Sequence, residues 1–332
     1  MGRRPMYSPQ RKLVFGTMPV SLWAAIILVT LPLHMCVAHG PLQVGHYAFS
    51  CPSAESIVRR AMERSMQQDR SIVAGVLRLH FHDCFVEGCD GSVLLDGPGS
   101  EKTASPNLSL RGFEVVDAAK ADLEAQCPGV VSCADILAFA ARDAVELSGG
   151  LGWPVRAGRL DGRVSIAAQA DADIPDPSNT VSQNAEVFAR KGLSKSDMIV
   201  LSGAHTIGHA HCDSVASRLY PVPEPGLSEE LAARLMASCP PQGSSATMNL
   251  DSTTPARFDN NYYTNIINHR GLLHSDQALF TDISTRGEVI FNSLLAAPWT
   301  FQFSRVMIQM GNIQVKTGQS EGEIRRNCRF IN

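Results

Sequence analysis

The sequence predicts an all-α protein with long irregular connections, and three observations carry that reading. Apolar residues recur with helical period over about Ala54 to Gln68, Ile72 to Cys84, Gly112 to Gln126, Cys133 to Leu147, Val181 to Lys191 and Ser196 to Leu201. Strand-like alternation is scarce. Stretches dense in turn-forming residues, Gly97 to Asn107, Gly149 to Gly162, Ile174 to Asn179 and Pro221 to Gly226, separate the periodic segments. A chain of 332 residues with 44% hydrophobic and 18% charged content can bury a large core, and it shows neither internal repeats nor low-complexity tracts.

The N-terminus reads differently from the rest. Arg3, Arg4, Arg11 and Lys12 precede an apolar stretch from about Val20 to Leu33, and Cys36-Val37-Ala38 supplies small residues for cleavage. Residues 1–38 are therefore expected to be a secretory signal, and 39–332 the working domain. A retained anchor is the alternative, but the stretch is shorter than the ~20 residues a spanning helix needs, and Pro32 interrupts it. No second run of that length follows, so no membrane association is expected after cleavage. The formal charge of −3 becomes −7 once the signal's four unopposed basic residues are set aside, which gives no support to nucleic-acid binding. Of nine cysteines, Cys36 leaves with the signal. The eight that remain are expected to form four disulfides in an oxidising compartment, with the pairing left open by the residues themselves.

The helix boundaries carry local signals. Pro52-Ser53 opens the first, Gly192 closes another, and Ser194 with Asp197 resembles a capping box for the next. On the second helix, within "LRLHFHDCFVEGCDGSVLLD" (77–96), Arg78 and His82 lie four apart and share a face, while His80 points elsewhere and reads as an ordinary core or surface residue. A guanidinium and an imidazole thus look into one cavity. Asp83, Asp90, Ser92 and the carbonyls near Val86 and Gly88 are hard oxygen donors suited to calcium, Cys84 and Cys89 can close the loop that converges them, and Glu87 reads as a solvated charge.

A second cluster, "LSGAHTIGHAHC" (201–212), places His205 and His209 one helical turn apart, with His211 and Cys212 following. Zinc is the first alternative that chemistry offers. A disulfide at Cys212 removes that ligand and leaves His209 and His211 as ordinary polar residues. "LDSTTPARFDNNYY" (250–263) spaces Asp251, Thr254 and Asp259 on an irregular loop that Thr206 can join, a second calcium-like set that would brace the segment holding His205.

Over its whole expected mature length the chain resembles the class III secretory plant peroxidases. "RLHFHDCFVEGCDGS", "EKTASPN", "VSCADILAFAARDAV", "LSGAHTIGHAHC", "TPARFDNNYY", "GLLHSDQALF" and "MGNIQVKTG" follow the family's order with near-family spacing. The resemblance implies a haem-peroxidase fold, with distal and proximal helical halves around one b-type haem, and two Ca2+ ions. His205 matches the proximal haem ligand and Asp276 the carboxylate that accepts its other ring proton, a bond that gives the imidazole anionic character. Arg78, Phe81 and His82 match the distal residues, with Asn107 orienting His82 and Glu101 linked through water to the distal calcium region. His82 would act as general base, then general acid, toward hydrogen peroxide, and Arg78 would stabilise charge as the O–O bond breaks.

Small phenolic donors would be oxidised in one-electron steps near Pro175. The distal calcium would use Asp83, Val86, Gly88, Asp90 and Ser92; the proximal one Thr206, Asp251, Thr254, the Arg257 carbonyl and Asp259. The implied disulfides are Cys51 to Cys127, Cys84 to Cys89, Cys133 to Cys328 and Cys212 to Cys239. In the chain-entropy view, the third contributes on the order of 4 to 5 kcal/mol.

The implied function is peroxide reduction coupled to phenol oxidation in the cell wall or extracellular space, by an expected monomer, in lignin or suberin formation, wall cross-linking, peroxide removal or stress response. The chain stops four residues after Cys328, which carries the expectation of no vacuolar extension. A non-enzymatic calcium- and haem-binding matrix protein is the alternative, disfavoured because Arg78 and His82 are both present; a zinc hydrolase on His205, His209 and His211 lacks a nearby carboxylate base. Several positions depart from the family pattern. His46 stands where Phe is frequent, Ser105 where some relatives carry an aromatic, and the chain between Asn107 and Arg111 is about one residue short. The sequon Asn107-Leu108-Ser109 is expected to be unused.

Overall fold

A computed structural model describes residues 42–242 and 244–332, and the expected secretory signal at 1–38 lies outside them. Helix α1 (Ala54–Gln68) buries Ala54, Ile57, Val58, Ala61 and Met62, the stripe its sequence period dictates. It packs on α3 (Phe113–Gln126) and α4 (Cys133–Leu147), and α4 packs on α2 (Ile72–Phe85). Helix α4 is buried continuously from Cys133 to Ala141, which is why it forms the centre of this half. Its buried Asp135 accepts hydrogen bonds from Tyr47 Oη, Gly158 N and Arg159 Nη1, each at 2.7 Å, and so ties the N-terminal segment to the strand connection.

Strands are few and short among the described residues. β1 (Gln43–Val44) pairs antiparallel with β2 (Arg156–Ala157), and β3 (His209–His211) with β4 (Thr247–Asn249). After α5 (Ala167–Asp173) come α6 (Val181–Arg190) and α7 (Lys195–Ser202), the latter running into a 3-10 turn at Gly203–Thr206. The capping box at Ser194 and Asp197 is made in both directions, and Gly192 takes φ +77° just past the end of α6, as a C-terminal glycine does. Gly112, expected inside α3, instead precedes it at φ +102°.

Beyond Leu201 the sequence periodicity predicts no helix, yet among the described residues six follow: α8 (Ala216–Leu219), α9 (Glu229–Ser238), α10 (Asn261–Ile267), α11 (His274–Thr281), α12 (Ile283–Leu294) and α13 (Ala296–Met310). The reason lies in their inner faces. Asn265, Asp276, Gln277, Thr285 and Asn292 are buried, so polar residues interrupt the apolar stripe that periodicity detects. Along α13, Ala-Ala-Pro at the start and an exposed Phe301 blur it further. All four implied disulfides are present, with Cys133–Cys328 fastening the C-terminal segment to α4.

Candidate active site

The distal side chains come from one face of α2 and the loop that follows. Asn107 is the key to their chemistry. Its Nδ2 donates to the Glu101 carbonyl at 2.8 Å, so its Oδ1 must face His82 Nδ1, 2.6 Å away. An oxygen there can only accept, which assigns the ring proton to Nδ1 and leaves the lone pair on Nε2. Arg78 Nε–H points at that Nε2 from 3.1 Å, while its terminal nitrogens donate to Ser109 Oγ and the Pro106 carbonyl, both at 2.8 Å. Burial above all, then the Arg78 charge, holds His82 well below the usual histidine range against the opposing Asn107 bond. Desolvation also pushes Arg78 down to about 10, although the guanidinium remains reachable by solvent through the cleft. At about 10 the guanidinium is still charged at neutral pH.

The Phe81 ring meets the His82 ring edge-on at 5.4 Å and is braced by Phe85 at 4.3 Å between ring centroids, which in turn meets Phe188 of α6 at 4.9 Å. His80 faces away, buried beside Arg159 and Met307 in the core. Pro106 and Ser109, on either side of Asn107, both accept from Arg78. Sequence reasoning gave neither residue a role in holding the guanidinium. Asn107 is 3% exposed with both polar side-chain atoms engaged, which leaves no position for a glycan.

On the proximal side, the 3-10 turn after α7 presents His205, whose Nδ1 lies 2.8 Å from Asp276 Oδ1 on α11. Burial, the largest single influence, pushes His205 down, but the Asp276 charge and hydrogen bond outweigh it and leave it raised. The Arg78 charge adds a smaller influence that lowers His205. The turn is seated on aromatics: Trp299 Nε1 and Tyr263 Oη donate to the Val200 carbonyl at 3.2 Å each, and a Cβ on Gly203 would meet Trp299 Cζ2 at 2.5 Å. The expected helical spacing of His205 and His209 is not realised, because His209 and His211 lie on β3, with His209 opposite Asn249, and Cys212 is bonded to Cys239. The three histidines therefore do not form the zinc set.

Both oxygen-rich sets converge. Asp83, Asp90 and Ser92 are fully buried around the tight turn closed by Cys84–Cys89, and Asp83 Oδ1, Ser92 Oγ and both Glu101 carboxylate oxygens lack any partner. Desolvation and then the neighbouring Asp90 raise Asp83, and desolvation followed by Asp83 raises Glu101 to about 9. Burying carboxylates together without partners is costly, so these orphaned oxygens fit a divalent cation. Gly88 takes φ +92°, and a Cβ there would meet Gln314 at 2.6 Å. Two lysines that sequence reasoning passed over reach this ring: Lys316 Nζ meets Asp90 Oδ2, and Lys191 Nζ lies 3.0 Å from the Val86 carbonyl.

In the proximal set, Thr206 Oγ1 sits 3.2 Å from Asp251 Oδ2, 3.3 Å from Asp259 Oδ1 and 3.5 Å from the Arg257 carbonyl, and Thr254 Oγ1 lies 3.0 Å from Asp259 Oδ1. Glu101 also meets Asn107, through its main-chain carbonyl. Pro175 is half-buried in the α5–α6 loop, which the Ser275 N–H to Pro177 carbonyl bond at 2.9 Å ties to α11. A groove of about 340 Å³ lined by residues such as Arg190, Lys191 and Gln314 includes none of the distal or proximal side chains.

An imidazole with an unprotonated Nε2 beside a guanidinium, and a second imidazole anchored on a buried carboxylate, fit the site that the peroxidase resemblance implies. Comparison with known proteins gives the same answer. The family model described as Peroxidase matches residues 58–291. The chain is 45% identical over 323 residues to "Peroxidase 5" of Vitis vinifera, covering 93% of this chain and 98% of the relative. It is 47% identical over 297 residues to "Peroxidase 71" of Arabidopsis thaliana, covering 87% and 89% respectively. Against "Peroxidase 2" of Zea mays the identity is 45% over 328 residues, covering 95% and 97%. The chain belongs to the peroxidase family, in its class III plant branch, and it is a peroxidase.

Proposed function

We propose that the enzyme reduces hydrogen peroxide and oxidises small phenolic donors, with His82 as the proton-transferring residue. The observation that carries this is the Asn107 hydrogen-bond chain, which leaves His82 Nε2 as an unprotonated acceptor in the cleft. A b-type haem bound at His205 Nε2 would supply the redox chemistry. His205 suits that role because its other nitrogen is committed to Asp276.

His82 takes a proton at Nε2 from hydrogen peroxide and returns it to the departing oxygen as water leaves; such paired base and acid work is typically worth ~10²- to 10⁴-fold. Neutrality is essential to the first step, and the depressed affinity of His82 for protons keeps it neutral well into the acid range. Arg78 holds negative charge as the O–O bond breaks. Its three hydrogen bonds fix the guanidinium before the reaction, so little reorganisation remains. Phe81 narrows the space above the cleft, and donors approach beside Pro175.

Two calcium ions would be held by the two oxygen sets: Asp83, Val86, Gly88, Asp90 and Ser92 on the distal side, with Glu101 adjoining, and Thr206, Asp251, Thr254, Arg257 and Asp259 on the proximal side. Their placement immediately after His82 and His205 means that each would stiffen a segment bearing a reactive imidazole. Residues 1–38 act as a cleaved secretory signal and 39–332 as the peroxidase domain, a monomer working in the wall or extracellular space. No described helix is long and apolar enough to cross a membrane. The test is a Soret band in the matured protein together with peroxide-dependent guaiacol oxidation. His82→Ala is expected to keep the band and slow the peroxide reaction by several orders of magnitude, and an unchanged rate would remove His82 from the mechanism.

A further inference from the structure

We propose that Tyr262 is a positioning residue: its phenol shares the Asp276 oxygen that anchors His205 and thereby limits how strongly the carboxylate draws the imidazole proton. The inference rests on the haem reading above. Asp276 Oδ1 receives His205 Nδ1 at 2.8 Å and Tyr262 Oη at 2.9 Å, so one oxygen accepts from both rings. Hydrogen bonds to charged acceptors are the strong ones, and a carboxylate that already accepts a phenol has less negative charge to offer an imidazole. Tyr262 is 2% exposed, and burial, then the Asp276 charge, holds its phenol well above the ordinary tyrosine range. It is therefore a permanent donor.

Its location gives the bond a fixed geometry. Tyr262 lies in the first turn of α10, whose start is held by the Asn261 N–H to Asp259 Oδ1 bond at 2.9 Å, within the proximal oxygen set. The adjacent Tyr263 supplies an internal contrast. It is just as buried, but its phenol donates to the carbonyls of Ile199 and Val200 at 2.8 and 3.2 Å and does not touch Asp276. Loss of the Tyr262 hydroxyl would let the Nδ1 proton move toward Asp276, giving His205 more imidazolate character and favouring the oxidised iron that it would ligate. Loss of the Tyr263 hydroxyl would loosen the segment before His205 but leave the Asp276 oxygen untouched.

The experiment compares haem-loaded wild-type, Tyr262→Phe and Tyr263→Phe proteins by spectroelectrochemistry and by the iron–imidazole stretching frequency of the ferrous form. For Tyr262→Phe the oxidised-to-reduced ratio at a fixed potential is expected to rise about tenfold, a midpoint lower by about 59 mV for one electron, with the stretch moving to higher frequency. Tyr263→Phe, which loosens the seat of the His205 turn without touching Asp276, is expected to move neither readout in the Tyr262→Phe direction. An unshifted Tyr262→Phe, or an equal shift in Tyr263→Phe, overturns the proposal. Should Tyr262→Phe not fold, 3-fluorotyrosine at position 262, a stronger donor of the same shape, is expected to move both readouts the opposite way, and no shift overturns it equally. A wild-type protein that takes up no haem would instead overturn the haem reading itself, with this inference, so the two failures are told apart by the Soret band of the wild type.

Discussion

Replacing Asn107 with leucine removes the acceptor that fixes the His82 tautomer and keeps the side-chain size. In the native arrangement the Nδ1 proton lies on a 2.6 Å bond to Asn107 Oδ1, at a position where both residues are buried. Leaving a buried donor unsatisfied costs about 1–3 kcal/mol, and the same quantity is available to shift the ring toward the alternative tautomer. With the proton on Nε2 the ring would confront the Arg78 Nε–H donor and could not take a proton from peroxide. Each ~1.4 kcal/mol lost from the competent form is tenfold in rate, so kcat/KM for peroxide is expected to fall on the order of 10- to 100-fold, with stability lower by about 1–3 kcal/mol.

Stopped-flow spectroscopy under excess peroxide measures the first quantity and denaturant titration the second. Asn107→Asp separates tautomer from packing. It retains the acceptor but adds charge that favours the imidazolium, so the rate should be largely recovered at alkaline pH and lost, as pH falls, at a higher pH than in the wild type. A leucine variant that reacts with peroxide within twofold of the native enzyme would refute the tautomer argument.

Three further outcomes follow from the same structure. Burial, helped by the Arg159 charge, pushes His80 down to about 3 from 6.5; the unfolded chain then binds the extra proton between those values, so stability falls as pH drops through that window, by ~2 kcal/mol at pH 5. His80→Leu should lose correspondingly less between pH 7 and pH 5, and equal losses in denaturation midpoints would acquit His80. Gly203→Ala forces a methyl to within 2.5 Å of Trp299 Cζ2, an overpacking expected to cost about 1–3 kcal/mol and to displace the turn carrying His205; unchanged stability and spectrum would contradict it. Calcium removal by chelation should lower the melting temperature, with ~2.7 kcal/mol at stake if the ion was present at a hundredfold its dissociation constant, and a melting curve indifferent to chelator would count against both oxygen sets as cation sites.

Much of the site was legible from sequence because it is written in local spacing. Arg78 and His82 sit four apart on a helix, and the oxygen donors from Asp83 to Ser92 follow within one turn closed by a short disulfide. The N-terminal helices were equally legible, since their buried faces are apolar stripes. The C-terminal helices were not, because they bury Asn265, Asp276, Gln277 and Asn292 against partners that sequence alone does not reveal. Lys191, Lys316 and Tyr262 escaped for the same reason: each acts on a group far away in the chain or turned by the fold, and a lysine or tyrosine in isolation has no signature.

The sequence by itself determined which chemical groups this enzyme has, where its first helices begin, and, through family likeness, which cysteines pair. Only the tertiary structure decided the state of those groups: that His82 keeps its Nε2 unprotonated, that His205 leans on Asp276, and that Tyr262 shares the same oxygen. The physical reason is that proton position depends on hydrogen-bond partners and burial at a scale of a few tenths of an ångström. Those partners, such as His205 and Asp276, are separated by tens of residues and meet only when the core packs.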